Sequence, residues 1–372
     1  MGKGGAKEMA NTGEETEEVV AEEAELKTVE ELGFKTMSLN PAMIEEKAEL
    51  SQVVTAMSDM KSGEDYLENQ VVYFAENEEI ANQIAECYDG ILVEYEYGVA
   101  VATIKVSVKE AISVAANTKI ALPAVYPNII YKINDGWIAV EEETEEEKLV
   151  DEADVEREEV AEENTGLILP CEDEHLYATT PNDTYFAKQW HHEVMNTVEA
   201  WNGSKGKDVK VAVIDSGVDY THPDLAKNIV GHVSTCDEGD GRDDNGHGTH
   251  CAGIIAAVAN NGKGISGIAP EASIFAIKAL NSEGSGSTAD IIEAVQCAIN
   301  EKVDVISMSL GSPCWDALYQ QIINNAASGG IVIVAAAGND GQPNEFIHNI
   351  IDFIPSYPAA LSYVIGVMSV NK

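Results

Sequence analysis

The chain has 372 residues, of which 65 are acidic and 22 basic, giving a formal net charge of −43. A negative charge of this size argues against nucleic acid and anionic membrane surfaces as partners, because their phosphates would repel the protein. The hydrophobic fraction of 45% is ordinary for a globular protein, and the length is sufficient for two or three domains. The sequence contains no run of about 18 apolar residues, so no transmembrane helix is expected.

The N-terminus, MGKGGAKE, has no apolar stretch and therefore does not have the pattern of a signal peptide. The six cysteines are scattered and form no CxxC pair, which argues against a zinc knuckle or a redox motif. The pattern favours free buried thiols. It leaves open one disulfide within the last four cysteines, which are Cys236, Cys251, Cys297 and Cys314.

The N-terminal third changes character twice. Residues 1–64 are rich in glutamate and their apolar residues are sparse, so a solvated helix or disorder is expected. Residues 65–134 alternate between strand and helix patterns in the order β-α-β-β-α-β, which indicates a compact α+β domain. Residues 135–180 are an acidic linker whose like charges repel and keep it open to proteolysis.

From residue 207 onward, apolar strands alternate with amphipathic helices. This alternation predicts an α/β fold with a parallel sheet covered on both faces. Ligands of such sheets bind at the carboxyl ends of the strands. Asp215, Ser309 and Asn339 each stand at such an end and are therefore candidate functional residues.

Three motifs contain candidate catalytic groups. Asp215 in IDSGVD is an acid after an apolar strand, and Asn339 in VAAAGN is an amide in the same position. His247 in DNGHGTHCAG opens a helix between two glycines, which allow close approach of backbone and substrate. A lone acid or histidine in such a place is more often structural, whereas the HGTHxAG unit is hard to reach by chance.

These three blocks, in this order, resemble the subtilisin family of serine proteases over about residues 181–372. The resemblance implies a three-layer fold with a mostly parallel sheet and an endopeptidase acting on proteins or peptides. It also implies that Asp215 orients the histidine, His247 is the general base, and Asn339 donates to the oxyanion. His250, one turn further along the helix, is expected to be packed.

The resemblance extends to the substrate groove and to a calcium site. Residues matching the two strands that pair with substrate backbone are Gly284, Ser285 and Gly286 on one side and Ser309, Leu310 and Gly311 on the other. An extended peptide between two edges gains main-chain hydrogen bonds without demanding a sequence, which implies broad specificity. Asp224 and Asn261 match calcium ligands of the family, and oxygen donors suit this hard cation. A polar loop without metal is the alternative.

The 65–134 domain resembles the ferredoxin-like propeptide of the family in element order and in position. This implies that it assists folding and inhibits the catalytic domain, as an intramolecular inhibitor, through its C-terminal tail. Cleavage would fall between residues 134 and 181. The resemblance also implies a secreted or cell-surface protein.

The family's nucleophile lies in Gly-Thr-Ser-x-Ala, and these 372 residues do not contain that motif. The retained Asp215, His247 and Asn339 favour a fragment of a longer gene over a truncated variant or a natural pseudoprotease. The 372 residues alone are therefore expected to be inactive. The alternative functions are a non-catalytic peptide-binding protein and a metal hydrolase using Asp215, His247 and His250, although the latter lacks an HExxH motif.

Overall fold

The computed structural model describes residues 31–37, 50–117, 120–133, 180–237, 239–339 and 356–369. The predictions for residues 1–30 and for the acidic linker lie outside them. Twelve strands are present in this part of the chain: β1 Tyr66–Phe74, β2 Ile91–Glu96, β3 Val99–Thr103, β4 Tyr126–Ile133, β5 Lys210–Asp215, β6 Ile229–Ser234, β7 Ser273–Lys278, β8 Ser285–Ser287, β9 Val305–Met308, β10 Leu310–Gly311, β11 Val332–Ala336 and β12 Val364–Val367. The principal helices are α1 Glu78–Cys87, α2 Val108–Ala115, α3 Trp190–Val194, α4 Thr197–Ala200, α5 His247–Ala256, α6 Thr288–Asn300 and α7 Ala317–Ser328.

The N-terminal unit is an antiparallel sheet in the order β4-β1-β3-β2, against which helices α1 and α2 pack. Its elements follow the chain as strand, helix, two strands, helix and strand, which is the order that the sequence pattern indicates. Each helix begins at a polar cap that accepts a backbone hydrogen bond. Asn77 caps α1 and Ser107 caps α2, so donors left free at the helix starts are satisfied.

The segment before this unit differs from the expectation of a solvated stretch. Phe34 is buried and packs edge to face on Tyr88, with ring centroids 5.0 Å apart. Residues 50–56 are helical, and the buried side chains of Leu50, Val53 and Met57 share one side of this turn because they are spaced by three and four residues. Sparse apolar residues therefore contribute to the core here because they meet residues distant in sequence.

The second unit confirms the expected mostly parallel sheet. Its six strands run parallel in the order β12-β11-β9-β5-β7-β6. Strand β5 lies inside this sheet and is buried over residues 211–215, which brings Asp215 to a buried carboxyl end. Helix α5 packs against β5 and β7, and α7 packs against β11. Among the described residues, no helix combines the length and apolarity needed to cross a bilayer.

Strand β4 joins the two units. Its first half pairs with β1, while its second half lies between β8 and β10 and is antiparallel to both. Tyr131 is opposite Gly286, and Ile133 is opposite Leu310. The Ile133 N–H also donates to the carbonyl of Gly284 at 2.8 Å. The last strand of the N-terminal unit is therefore hydrogen bonded on both of its edges.

The cysteines carry no crosslink in the described part of the chain. Cys87, Cys236, Cys251, Cys297 and Cys314 are all free thiols. The structure therefore places no disulfide among the last four cysteines.

Candidate active site

Asp215 and His247 form the centre of the site. Asp215 is fully buried at the end of β5, and His247 begins α5. The Nδ1–H of His247 donates to Asp215 Oδ1 at 2.7 Å, and the Ser216 N–H donates to the same oxygen at 2.7 Å. With Nδ1 engaged, Nε2 is the ring atom left to exchange a proton in chemistry. Burial lowers the pKa of His247, but the bond to Asp215 and its charge outweigh burial and hold this pKa above its ordinary value.

Glycine permits the close approach between α5 and the end of β5. A Cβ at Gly248 would overlap the Gly217 carbonyl oxygen and press on Asp215. Gly217 itself has a φ of +97°, a conformation that glycine adopts without strain. The distance between acid and base is therefore set by backbone packing.

Two charged side chains that the sequence analysis missed support this geometry. Asp243 accepts from the backbone of Gly246 and Thr249 at the start of α5, and it accepts from Ser216 Oγ at 2.9 Å. Burial acts to raise the pKa of Asp243, but these hydrogen bonds hold it below its ordinary value. Its signal in the sequence is an acid shortly before a helix whose N-cap is glycine.

Lys278 is the second missed residue. It is 2% exposed at the end of β7. Its ammonium donates to the carbonyls of Ser216 and Leu280 and to Asp244 Oδ1, at 3.2, 2.8 and 2.7 Å respectively. A lone lysine at the end of the apolar run SIFAIK was its sequence signal, because a buried ammonium needs several acceptors.

Cys251 connects the pair to the next strand. Its Sγ lies 3.9 Å from Nδ1 and 4.0 Å from Nε2 of His247, and it donates to Ser309 Oγ at 3.4 Å. Asp215, His247 and Cys251 are the one group of three metal-binding side chains that converge within 4.8 Å in the described residues. The alternative of a metal site formed by Asp215, His247 and His250 is therefore wrong in one residue, because Cys251 and not His250 lies beside the other two. His250 is exposed rather than packed, because it points away from the face that α5 buries.

The remaining predicted residues fall into two groups. The groove residues lie on β8 and β10, or directly before them, and β4 occupies the space between these strands. Asn339 and Ser309 line a cavity of about 320 Å³ at the ends of β9 and β11. The structure thus brings the groove, the Asp215–His247 pair and the Asn339 amide together at the carboxyl ends of the parallel strands.

Of the predicted calcium ligands, Asp224 lies before β6 and contacts Asn261, which lies in the loop after α5. The Asn261 amide nitrogen donates to Asp224 Oδ1 at 2.6 Å, and the Ile265 N–H donates to Oδ2 at 3.0 Å. A Cβ at Gly264 would overlap Asp224 Oδ2, so the loop wraps closely around this carboxylate. Asp183 supports the same loop by accepting from the Asn261 N–H at 2.9 Å.

The Asp215–His247 bond yields a direct prediction. In Asp215→Asn the carboxylate charge is lost while burial remains, so the pKa of His247 should fall from its raised value. Histidine NMR titration of the 372-residue chain measures this, with His247→Gln used for assignment. His191, whose pKa burial lowers, serves as the internal control and should not move. An unchanged His247 titration in Asp215→Asn would show that Asp215 does not govern it.

The region that contains this site is similar in sequence to known proteins. The sequence model of the subtilase family, Peptidase S8, matches residues 206–372. Thermitase of Thermoactinomyces vulgaris is 40% identical over 195 residues, which cover 52% of this chain and 66% of thermitase. The major intracellular serine protease of Bacillus subtilis is 45% identical over 186 residues, which cover 48% of this chain and 56% of that protein.

Subtilisin E of Bacillus subtilis is 43% identical over 172 residues, covering 46% of this chain and 43% of subtilisin E. The chain thus spans between about two fifths and two thirds of the lengths of these relatives. The matched region contains Asp215, His247 and Asn339 together with both groove strands. Residues 206–372 are therefore similar to the subtilase family, and the described part of this region has the mostly parallel sheet expected of its fold.

Proposed function

We propose that this protein is a serine endopeptidase, for which the chain supplies the acid, the base, the oxyanion donor and the substrate groove. The hydrogen bond between Asp215 and His247 beside that groove is the observation that carries the proposal. The histidine loop is tied to the groove because Asn245 Nδ2 donates to the Ser282 carbonyl at 3.0 Å, just before β8. The nucleophilic serine is not assigned within residues 1–372, which do not contain the Gly-Thr-Ser-x-Ala motif.

In this mechanism Nε2 of His247 takes the proton of the attacking serine and later passes it to the leaving amine. Asp215 holds the ring in the tautomer with Nδ1–H and stabilises the imidazolium that forms. The amide of Asn339 donates to the oxygen that becomes negative in the transition state. Its position beside Ser309 in the cavity at the strand ends supports this role.

The groove supports recognition of extended peptides. Strands β8 and β10 offer main-chain groups to a segment between them, and β4 is an example of such a segment. Main-chain pairing binds many sequences, which supports broad specificity. Proteins and peptides are therefore the proposed substrates.

The position of β4 also supports a propeptide role for the N-terminal unit. Where β4 lies, no other peptide can pair with both β8 and β10, so this unit would inhibit the enzyme within the same chain. Tyr131 is fully buried there and packs edge to face on Tyr319 of α7, with centroids 5.4 Å apart. Cleavage within residues 134–181, after β4, would leave the groove strand as a product-like inhibitor.

The 372-residue chain alone is expected to hydrolyse no peptide above the level of its His247→Ala variant, because its sequence lacks the Gly-Thr-Ser-x-Ala nucleophile motif. Release of fluorophore from quenched casein measures this. Hydrolysis that His247→Ala abolishes would contradict the prediction. A reading frame that continues through that motif would support the protease. A full-length product that binds peptides without cleaving them would instead favour the peptide-binding alternative.

Tyr131 and Lys132 test the groove contact separately, because they are neighbours in β4 and only Tyr131 is buried. Tyr131→Ala should accelerate amide exchange in β8 and β10 at least about tenfold, since the loss of a buried aromatic ring costs about 3–5 kcal/mol. Lys132→Ala keeps the main-chain pairing and should leave exchange unchanged. Equal exchange in both variants would mean that this side chain does not hold β4 in the groove.

Structural calcium at Asp224 and Asn261 is part of the proposal. The site fits the ion in two respects: its donors are oxygen-bearing groups, and Gly264 leaves the carboxylate closely wrapped by backbone. Rotation of the Asn261 side-chain amide by about 180° would place its oxygen, instead of its nitrogen, beside Asp224. Calcium would tie this loop to the segment containing Asp183.

Asp224→Asn should therefore abolish the rise in melting temperature that calcium chloride produces after treatment with a chelator. Asp208→Asn is the matched control, because Asp208 is exposed and its φ of +66° suits asparagine. Melting curves of the 372-residue chain with and without calcium provide the measurement. The same calcium response in both variants would exclude this loop.

The cellular location of the protein is a proposal that rests on the resemblance to the subtilisin family. The relatives' names include a major intracellular serine protease and a minor extracellular protease, both of Bacillus subtilis. A secreted or cell-surface protein is the location that we propose. Fractionation of the source cells with an antibody to residues 181–372 would test it.

A further inference from the structure

Helix α6 is buried on nearly all sides. One side packs on β5 of the parallel sheet, and another faces β3 and β4 of the N-terminal unit. Within the helix lies Glu293, which is 1% exposed. Its Oε1 accepts no hydrogen bond from any residue that the structure describes. A charged carboxylate in such a place would be costly, because water is excluded and no donor replaces it.

The groups facing Glu293 increase this cost. Glu94 and Glu96 approach from β2 of the N-terminal unit, and Asp290 lies one turn earlier on α6. The charges of all three act to raise the pKa of Glu293. Two further groups lie close by: the Tyr97 phenol of the β2–β3 turn and the Cys297 thiol of α6, which interact with each other. The charge of Asp237 acts on Asp290 and raises its pKa.

Burial, followed by the charges of Glu94, Glu96 and Asp290, raises the pKa of Glu293 to about 9. The neighbouring carboxyl of Asp290 is raised to about 6, again chiefly by burial. Glu293 is therefore neutral at pH 7 while the N-terminal unit is seated. When the unit lifts away, water reaches the side chain and two of its acidic neighbours depart, so the carboxyl ionises as an ordinary glutamate does.

We propose that seating of the β2–β3 hairpin on helix α6 takes up one proton, held by Glu293. The N-terminal unit therefore binds α6 more tightly at acidic pH than at alkaline pH, and we call this pH-dependent contact the latch. The idea deepens the proposed function, since it assigns a control to the unit that fills the groove. The inference rests on the proposed function only in one respect: the contact controls an enzyme if the protein is a protease. The contact itself is present whether or not the chain has activity.

The direction in which pH changes the stability of the seated state follows from proton linkage. The carboxyl has the higher pKa in the seated state, so seating is fully stabilised below the ordinary pKa of 4.5 and weakens until about 9. Between these limits one proton is released on opening, and each pH unit weakens seating about tenfold. Asp290 contributes only at the acidic end, so the interval from pH 6.5 to 8.5 isolates Glu293.

Cys297 provides the probe. It is 5% exposed beneath Tyr97, so an alkylating reagent reaches it when the hairpin lifts. The 372-residue chain is pulsed with iodoacetamide at each pH, and mass spectrometry measures labelling at Cys297. The rate is divided by that of the same chain unfolded in urea, which removes the intrinsic pH dependence of the thiol.

In the native sequence, protection of Cys297 should fall about a hundredfold from pH 6.5 to 8.5, because two pH units each contribute tenfold. Glu293→Gln keeps the shape but cannot ionise, so its protection should change less than about threefold over this range. Glu199→Gln, the same change at an exposed position on α4, should behave as the native sequence does. Identical profiles for native and Glu293→Gln chains would overturn the proposal.

A second variant acts from the opposite surface and does not touch the buried position. Glu94→Gln with Glu96→Gln removes two repelling charges, so the alkaline end of the profile should move to lower pH. No movement would overturn the role of these neighbours. Millimolar calcium chloride is added in a parallel series at pH 8.5. Restoration of protection by calcium would mean that the cluster binds a cation rather than a proton, which would also overturn the proposal.

None of these measurements requires catalysis. If the latch fails while the full-length protein cleaves peptides, the protease proposal stands without it. If the latch holds while no activity is found, the chain has a proton-linked contact in a non-catalytic protein.

Discussion

Strand β4 crosses from the N-terminal unit into the parallel domain, and its second half is hydrogen bonded along both edges. This double pairing orders the groove strands β8 and β10, which are only three and two residues long. Short strands of this kind gain little from their own pairing and depend on a partner. The groove, the contact of Tyr131 with Tyr319 and the seating of the hairpin on α6 all follow from this one arrangement.

The Asp215–His247 pair depends instead on groups within the parallel domain. Gly248 allows α5 to meet the end of β5, Asp243 fixes the start of that helix, and Lys278 holds the backbone after Asp215. These groups satisfy one another's polar atoms in a region that excludes water. The acid and base can therefore keep their geometry independently of what fills the groove.

Much of this could be predicted from the sequence. Asp215 and His247 follow local patterns, a strand end and a helix start, and such patterns survive in the fold. The register of β4 between β8 and β10 could not be predicted, because it joins segments about 155 to 180 residues apart and no local signal encodes it.

The same limitation applies to individual side chains. Glu293 reads as a solvent-facing glutamate in an amphipathic helix, and only the packing of a second unit buries it. Phe34 and Leu50 belong to a segment that is too polar to predict a core, yet they bury against residues far along the chain. His250 lies one turn from the base, but the helix face that it occupies is open to solvent.

Ser287 belongs to two elements at once. It is the last residue of β8 and the cap of α6, where its hydroxyl accepts from the Asp290 N–H while its own N–H donates to the Asp290 carboxylate. The edge that holds an extended peptide and the helix that meets the hairpin are thus one rigid piece. A peptide entering the groove need only displace the end of β4, while the hairpin stays attached a few residues away. If the protein acts as proposed, a substrate would replace β4 residue by residue along β8 and β10, without the N-terminal unit first leaving α6.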